Sequence, residues 1–525
     1  MKKLLALLLA LVLCMGILAG CGPAGGGDET VGGNVNVNTN NDGPLFDAAD
    51  NVSIEIWLPN NADLEWEGNY LNQAINKFNN MTLTLKEFDE RSQYDTTMAE
   101  QKVPQLSALN TLDIITEYGA QGAYINWMEY LDQMPNVAAM LEDERWAEDV
   151  AKYTYSENVM YGLPMLSTKY PSVWGYLYRQ DIFDANGLTF PTTQEEFYNT
   201  LVKLKELYPN SYPFVIRQMK GNMQGLQNFA ISWGTHHVLT GEYNSVLKFD
   251  PKTEGYYFAQ SSDTMREILV FLNKLYKEGL LHPSCMSMDT AMWSEALATN
   301  MSFITFDKMD RIMALTNGAI DANPNYVLMG TAPIAMGSNG VAESMQQGPA
   351  GYSLAASSLM DADQLSKVLA FVDWLYSPKG IEVTNWGLEG ESFEVDAEGN
   401  KVFKEDFQYE SSGLGVTGVC AYRDFEIYKT SLKEHVVKAI EDVTPHAVSP
   451  HDPILVYTED EQYVMDTYAQ ALMNSAAGWM QKFILGKGAD PASDADWDAY
   501  VKEMEALHID DLKEIHEAAY ARYKG

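Results

Sequence analysis

Strand-like and helix-like segments alternate along the chain after Asp50, and this alternation constrains the fold more than any other feature. Val52–Leu58 alternates apolar and polar residues with period two, as a strand does, whereas Tyr70–Asn79 and Gln194–Leu207 are helix-like. This alternation predicts an α/β fold with open, largely parallel sheets covered by helices. Further strands are predicted at Thr82–Phe88, Asp113–Thr116, Met301–Phe306 and Tyr326–Met329, and further helices at Ser262–Lys277, Ala362–Tyr376 and Gln462–Phe483.

The length and charge of the chain narrow its class. Of the 525 residues, about 475 follow Asp50, which is too many for one hydrophobic core and predicts two lobes. Lys and Arg number 35 against 73 Asp and Glu, and no basic run occurs, so we expect no nucleic-acid partner. Sequence repeats typical of structural surface proteins are absent.

The N-terminus predicts export and a lipid anchor. Met1–Lys3 is a cationic start, Leu4–Ile17 is a short apolar run, and Leu18–Cys21 resembles the bacterial lipobox. Residues 1–20 are therefore predicted to be a signal peptide, and Cys21 is predicted to carry the lipid. The alternative is an ordinary secretory signal followed by a chance Cys. Residues 21–50 are rich in Gly and Asn and predict a flexible tether on the extracellular face of the membrane.

Motifs of metal and nucleophile chemistry are missing, so we expect neither a metal nor another cofactor. There is no His-Glu-x-x-His, Cys-x-x-Cys, Gly-x-Ser-x-Gly or P-loop motif. Asp184–Glu195 superficially matches a calcium loop, but Leu188 and Thr189 occupy positions where a ligand and a Gly are required. Cys285 and Cys420 could pair or stay as buried thiols, and the sequence does not decide between these states.

An ordered series of short motifs resembles one protein family. The series comprises Tyr161–Pro164, Trp174–Asp181, Phe271–Leu280, Asp373–Pro378 and Asn385–Gly390. In this order it resembles the extracellular solute-binding lipoproteins of carbohydrate ABC importers, of the large subgroup found in Gram-positive bacteria.

The resemblance implies a periplasmic-binding-protein-like α/β fold, with two discontinuous lobes, a hinge and a central ligand cleft. The N-terminal lobe is expected to comprise 51–168 and 301–355, and the C-terminal lobe 172–298 and 362–525. The chain is expected to leave the first lobe at Tyr161–Tyr176, return near Met301–Phe306 and cross again near Tyr352–Ser366. Hinge bending about these segments would close the cleft.

The resemblance also implies a function without catalysis. The protein is expected to be a monomer that captures a sugar or oligosaccharide and delivers it to the permease subunits of an ABC importer. A lipoprotein binding peptides or another solute is the alternative. A secreted glycan-active enzyme is a weaker one, because nothing in the sequence selects a catalytic carboxylate pair.

Aromatic and polar residues in or beside loops are the candidate ligand contacts, since sugars offer apolar faces and hydroxyl edges. Trp57 and Trp386 are expected to stack on sugar rings, one from each lobe, although a Trp in a lobe of this size more often packs in the core. Arg217 could bind ligand, but a salt bridge inside one lobe is the favoured interpretation. The full set is Trp57, Asn60, Tyr118, Trp174, Arg217, Trp233, Trp386 and Glu389.

Overall fold

The described part of the chain forms strands and helices in alternation. The computed structural model describes residues 43–59, 68–88, 91–109, 112–156, 158–168, 172–218, 229–235, 246–250, 252–347, 353–415, 418–448, 453, 455 and 457–524. Cys21, Asn60, the predicted signal peptide and most of the predicted tether lie outside these residues. No helix within them is both long and apolar enough to cross a membrane.

Three of the described strands have eight residues each, and the others are shorter. In chain order they are β1 Val52–Pro59, β2 Met81–Phe88, β3 Leu106–Leu109, β4 Leu163–Pro164, β5 Leu166–Ser167, β6 Ser172–Arg179, β7 Phe214–Val215, β8 Lys248–Asp250, β9 Gly255–Tyr257, β10 Ile304–Lys308, β11 Leu328–Thr331, β12 Ser344–Gln347, β13 Ser353–Ala356, β14 Phe393–Val395, β15 Lys401–Phe403, β16 Tyr422–Arg423 and β17 Ala447–Val448.

The α-helices cover both faces of the sheets. They are α1 Tyr70–Asn79, α2 Arg91–Ala99, α3 Leu112–Ala120, α4 Pro135–Leu141, α5 Ala147–Tyr153, α6 Gln180–Ala185, α7 Gln194–Leu207, α8 Asp263–Lys277, α9 Thr290–Ala298, α10 Arg311–Ala319, α11 Ala362–Leu375, α12 Pro378–Trp386, α13 Tyr409–Ser412, α14 Phe425–Thr430, α15 Glu434–Val443, α16 Glu459–Leu485, α17 Asp494–Glu505 and α18 Ile509–Lys524. Short 3-10 turns occupy Ala48–Asp50, Trp127–Gln133, Glu144–Trp146, Ala230–Trp233, Ala259–Ser261 and Thr444–His446.

The first sheet has the strand order β2-β1-β3-β13-β4. β1 pairs in parallel with β2 and β3, while β13 runs antiparallel to β3 and β4. Ile54, Ile56 and Leu58 of β1 alternate with less apolar positions and pack in a core that includes Ala74 of α1 and Val372 of α11. α2 and α3 supply residues to a separate core around Trp57.

The second sheet has the strand order β17-β12-β6-β10-β7, with β11 also paired to β6. Trp174 and Tyr176 of β6 and Phe306 of β10 pack in a core with residues from α7, α8 and α16. Val173 and Leu177, which alternate with them along β6, share a core with Val436 of α15. Both faces of this sheet are therefore buried, which explains why its strands read as nearly continuous apolar runs.

The described chain passes between the two sheets three times. It leaves the first sheet after β4 and enters the second at β6, then returns between β12 and β13. It leaves again after β16, which pairs with β5, and reaches α15, which packs on β11 and β6. Three crossings of the chain therefore link the two sheets.

The connecting segments are pinned by residues of the short motifs noted in the sequence. Tyr376 Oη donates a 2.8 Å hydrogen bond to the carbonyl of Pro164 at the first connection. Asn385 Nδ2 donates to the carbonyl of Tyr422 at 2.8 Å, and its Oδ1 accepts from the Asp424 amide at 3.0 Å. These motif residues therefore serve the geometry of the connections.

The segment between 301 and 430 is arranged differently from the prediction. β10, expected in the N-terminal lobe, runs antiparallel beside β6 in the second sheet, so Met301–Phe306 is not a connection between sheets. α11 and α12, expected in the C-terminal lobe, share the core of the first sheet. The reason is topological: β10 and β11 both complete the hydrogen bonding of β6.

The two cysteines of the described chain are free thiols in different cores. Cys285 packs with the second sheet, and burial raises its pKa to about 12. Cys420 is buried beside Thr384 and Asn385 of α12, and burial also raises its pKa. Both are therefore protonated and unreactive at neutral pH.

Candidate functional site at the carboxyl sheet edges

The carboxyl edge of the first sheet is a row of strand ends. Register places Pro59, Phe88 and Leu109, the last residues of β1, β2 and β3, level with Ser353 and Pro164. The first and second connecting segments leave the sheet at this row. Open α/β sheets bind ligands beyond the carboxyl ends of their strands, so this edge is a candidate ligand-binding surface.

The second sheet presents the corresponding edge where β6 begins. Lys308, the last residue of β10, pairs with Trp174, and Gln347, the last residue of β12, pairs with Ser172. Phe214 and Val215 of β7 run parallel to β10, so the extended residues after β7 lead to Gln218 at the same edge. The chain thus passes twice between the carboxyl edges of the two sheets, and these two edges are the candidate ligand-binding surfaces.

Arg217 forms a buried ion pair at this edge. Its guanidinium donates to both carboxylate oxygens of Asp307, at 2.6 and 2.9 Å, and to Thr290 Oγ1 at 3.0 Å. The guanidinium carbon lies 4.7 Å from the ring centroid of Trp293, and Arg217 is 1% exposed. This is the salt bridge favoured by the sequence, and it ties β10 to the end of β7 and the start of α9.

Lys308 is a half-buried cation beside Trp174. Its Nζ lies 5.9 Å from the Trp174 ring centroid. Burial lowers the pKa of its ammonium group; nearby Asp310 and Asp307 act in the opposite direction, and Arg311 and Arg217 act in the same direction. Within the described residues, the ammonium group forms no ion pair or hydrogen bond.

Gln218 lies next to this edge, and only the nitrogen of its side-chain amide forms a hydrogen bond within the described residues. Its Nε2 donates to the carbonyl of Cys285 at 2.6 Å, and its backbone amide donates to the carbonyl of Met288. Its Oε1 is buried and accepts no hydrogen bond from any part of the chain that the structure describes. A buried acceptor without a donor is costly, so a hydroxyl or amide donor from a ligand would stabilise it.

Trp57 lies two residues before the edge of the first sheet and is 6% exposed. Its Nε1 donates to Glu55 Oε1 at 2.7 Å, and Lys86 Nζ lies 4.2 Å from its ring centroid. Tyr94 meets the ring edge-on at 6.4 Å between centroids. The indole is thus packed on most sides, with Lys86 as its exposed neighbour.

Tyr118 does not follow a strand, because the predicted strand Asp113–Thr116 is part of helix α3. Its hydroxyl donates to Asp95 Oδ1 at 2.7 Å and its ring approaches Tyr94. The strand of this region is β3, which precedes the helix. Tyr118 therefore joins two covering helices and does not extend from a strand end.

Trp174 and Trp233 are both buried in the core of the second sheet. Trp174 stacks on Phe306 at 6.4 Å with 22° between planes. Trp233 lies 5.5 Å from Phe271, and its ring covers Gly337, where a Cβ would come within 2.4 Å of it. Gly337 has a φ of +71° and permits this close approach.

Trp386 and Glu389 lie away from the second sheet. The Trp386 ring packs against Phe403 at 4.5 Å and Phe393 at 5.6 Å, beneath the β14–β15 hairpin, and is 9% exposed. Glu389 is exposed. Because α12 packs on α1, Trp386 belongs with the first sheet, as Trp57 does. The expectation that these two rings come from different lobes was wrong.

Sequence reasoning missed Lys86, Gln218 and Lys308. Lys308 is the last residue of the largely apolar strand β10, and a charged residue at a strand end is a sequence signal for a candidate ligand contact. Gln218 gives no such signal, because only the tertiary structure leaves its carbonyl unpartnered. Among the described residues, no group of three or more His, Cys, Asp or Glu is placed to hold a metal ion.

Comparison with solved structures identifies the fold. Alginate-binding protein AlgQ2 matches with a TM-score of 0.71 and 18% identity, over 90% of this chain and 99% of that chain. FusA, an ABC-transporter substrate-binding protein of S. pneumoniae solved with kestose, matches with a TM-score of 0.69 and 15% identity over the same shares. The chain has the fold of ABC-transporter solute-binding proteins. An HMO-binding solute-binding protein from Bifidobacterium longum infantis shares this fold with a TM-score of 0.64, at 17% identity over 90% of this chain and 99% of that one.

Sequence comparison finds a lipoprotein relative. Lipoprotein LipO of Bacillus subtilis is 25% identical over 333 residues, which are 60% of this chain and 64% of that protein. The match thus spans less than two thirds of the relative. No family model matches the chain.

Proposed function

We propose that this protein is a lipid-anchored extracellular binding protein that captures a saccharide and delivers it to the permease subunits of an ABC importer. The observation that carries the proposal is the pair of carboxyl edges joined by connecting segments, with unsatisfied polar groups at one of them. Bending of those segments would bring the edges together around a ligand. The alginate-binding protein AlgQ2, FusA, which was solved with kestose, and the HMO-binding protein share this fold.

Saccharide binding without turnover is the expected result of a thermal-shift screen. Oligosaccharides of two to six sugars are added to the full chain, with peptides of matching mass as the competing ligand class. A bound saccharide at a hundredfold excess over its Kd should stabilise the folded protein by about 2.7 kcal/mol. Chromatography of the recovered ligand checks that it is intact. Stabilisation by peptides and by no saccharide would assign the chain to another solute class, and shortened saccharide would reveal an enzyme.

Membrane attachment should depend on Cys21. In the lipoprotein interpretation the thiol carries the diacylglyceryl group, so Cys21→Ser removes the only proposed anchor and should move the protein from the membrane to the soluble fraction. Cell fractionation followed by immunoblotting measures this, with Cys14→Ser, inside the apolar run, as the matched control. A Cys21→Ser protein that stays in the membrane fraction would contradict lipid anchoring.

A further inference from the structure

We infer that the saccharide is anionic and that Lys308, which lies beside Trp174 at the same sheet edge as Gln218, binds its acidic group. This inference rests on the proposed function and adds the chemical class of the ligand. The acidic group is a uronate carboxylate or a sulfate ester, since both offer several anionic oxygens to an ammonium group.

Lys308 differs from the other half-buried lysines that the structure describes. Each of them has a carboxylate or a carbonyl oxygen near its ammonium group, whereas the ammonium group of Lys308 forms no ion pair or hydrogen bond within the described residues. The lysines with such partners are Lys205, Lys367, Lys379, Lys401, Lys404 and Lys429. In a chain with 73 acidic and 35 basic residues, a half-buried lysine without an anionic partner is unexpected.

The surroundings of Lys308 leave a positive charge at the sheet edge. The charged groups that influence it are Asp307, Asp310, Arg217 and Arg311, two of each sign. Asp307 is committed to Arg217 through both carboxylate oxygens. Lys308 adds a third positive charge to these four groups, and it pairs with Trp174 at the carboxyl edge of the second sheet.

An anionic group supplies what this position lacks. A partly desolvated ammonium group is unfavourable until an opposite charge and hydrogen-bond acceptors compensate it. A sugar hydroxyl offers acceptors alone, whereas a carboxylate or sulfate offers acceptors and the opposite charge. The overall negative charge of the chain weakly opposes such a ligand, because salt screens exposed charges beyond about 8 Å at physiological ionic strength.

The test compares neutral and acidic saccharides on charge-altered variants. The probes are neutral cello-, xylo-, manno-, galacto- and fructo-oligosaccharides, oligomers of galacturonate, glucuronate and mannuronate, and sulfated galacto-oligosaccharides. Full-length wild-type protein, Lys308→Met, Lys308→Arg and the exposed-lysine control Lys502→Met are titrated by calorimetry, and their melting temperatures are recorded. Lys308→Met removes a desolvated charge, so it should fold at least as stably as wild type.

The wild-type protein should bind either the uronate oligomers or the sulfated galacto-oligosaccharides. Because these probes are titrated separately, the result shows whether the acidic group is a carboxylate or a sulfate ester. Lys308→Met should raise its Kd roughly ten- to hundredfold, as loss of a charge-assisted hydrogen bond does, while Lys308→Arg and Lys502→Met stay close to wild type. Binding of a neutral saccharide alone, or an unchanged Kd in Lys308→Met, would overturn this inference and leave the proposed function standing. Failure of every saccharide to bind would overturn both.

Discussion

Replacing Arg217 by Met should destabilise the protein by about 3–5 kcal/mol, because the change leaves the Asp307 carboxylate buried without its partner. Asp307 is 0% exposed, and the Arg217 guanidinium donates a hydrogen bond to each of its carboxylate oxygens. The only other donor to this carboxylate within the described residues is the backbone amide of Lys308. The lost cation also contacts Trp293 and Thr290, so the start of α9 should loosen as well. Chemical denaturation of the purified variant measures the loss.

The control for this prediction is an ion pair that is exposed to solvent. Lys203 and Glu206 lie 3.3 Å apart on the exposed face of α7, and Lys203→Met should cost less than about 1 kcal/mol. An Arg217→Met protein as stable as the Lys203→Met protein would mean that water reaches Asp307. In that case Arg217 would return to the set of candidate ligand contacts.

The helices could largely be predicted from the sequence, because their signals are local. α1 and α7 have the predicted bounds, and α8 and α11 differ from prediction by one residue at one end. Each carries apolar residues at helical spacing, and an Asn, Gly or Pro follows within three residues of its C-terminal end. Local periodicity was therefore enough to predict these helices, although it gave no information about how the strands pair.

The strands and their pairing could be predicted only in part. Ile114, Ile115 and Thr116 are β-branched and resemble a strand, yet they lie in α3, because β3 already occupies that place in the sheet. β10 was placed in the wrong lobe for a related reason. Strand partners are set by contacts far apart in sequence, and periodicity carries no information about which sheet a strand joins.

The candidate site shows the same division between local and tertiary information. An aromatic residue beside a loop can bind a sugar or fill a core, and its sequence neighbours do not distinguish these roles. Trp174 and Trp233 are both buried against aromatic residues from other elements. Lys308 and Gln218 could not be recognised as candidate ligand contacts from the sequence. They are candidates because the described structure gives no hydrogen-bond partner to the Lys308 ammonium group or to Gln218 Oε1.

Trp57→Ala and Trp386→Ala should separate packing from recognition. Both rings are largely buried, so each variant should lose about 3–5 kcal/mol of stability. We expect Trp57→Ala also to weaken saccharide binding roughly 5- to 150-fold, equivalent to about 1–3 kcal/mol, because Trp57 lies two residues from the carboxyl edge and supports Lys86 on its ring. Trp386 packs beneath the β14–β15 hairpin, and its variant should keep the wild-type affinity once folded.

Melting temperature and saccharide affinity, measured on the same preparations below the melting transition, give each variant two independent values. Trp386→Ala then serves as the matched control for Trp57→Ala, since it removes a ring of the same size from the lobe of the same sheet. If Trp386→Ala weakens saccharide binding with little loss of stability, the Trp386 ring contacts the ligand and is not mainly a packing residue. Unchanged affinity in Trp57→Ala would assign Trp57 to packing and leave the second sheet edge, with Lys308 and Gln218, as the principal binding surface.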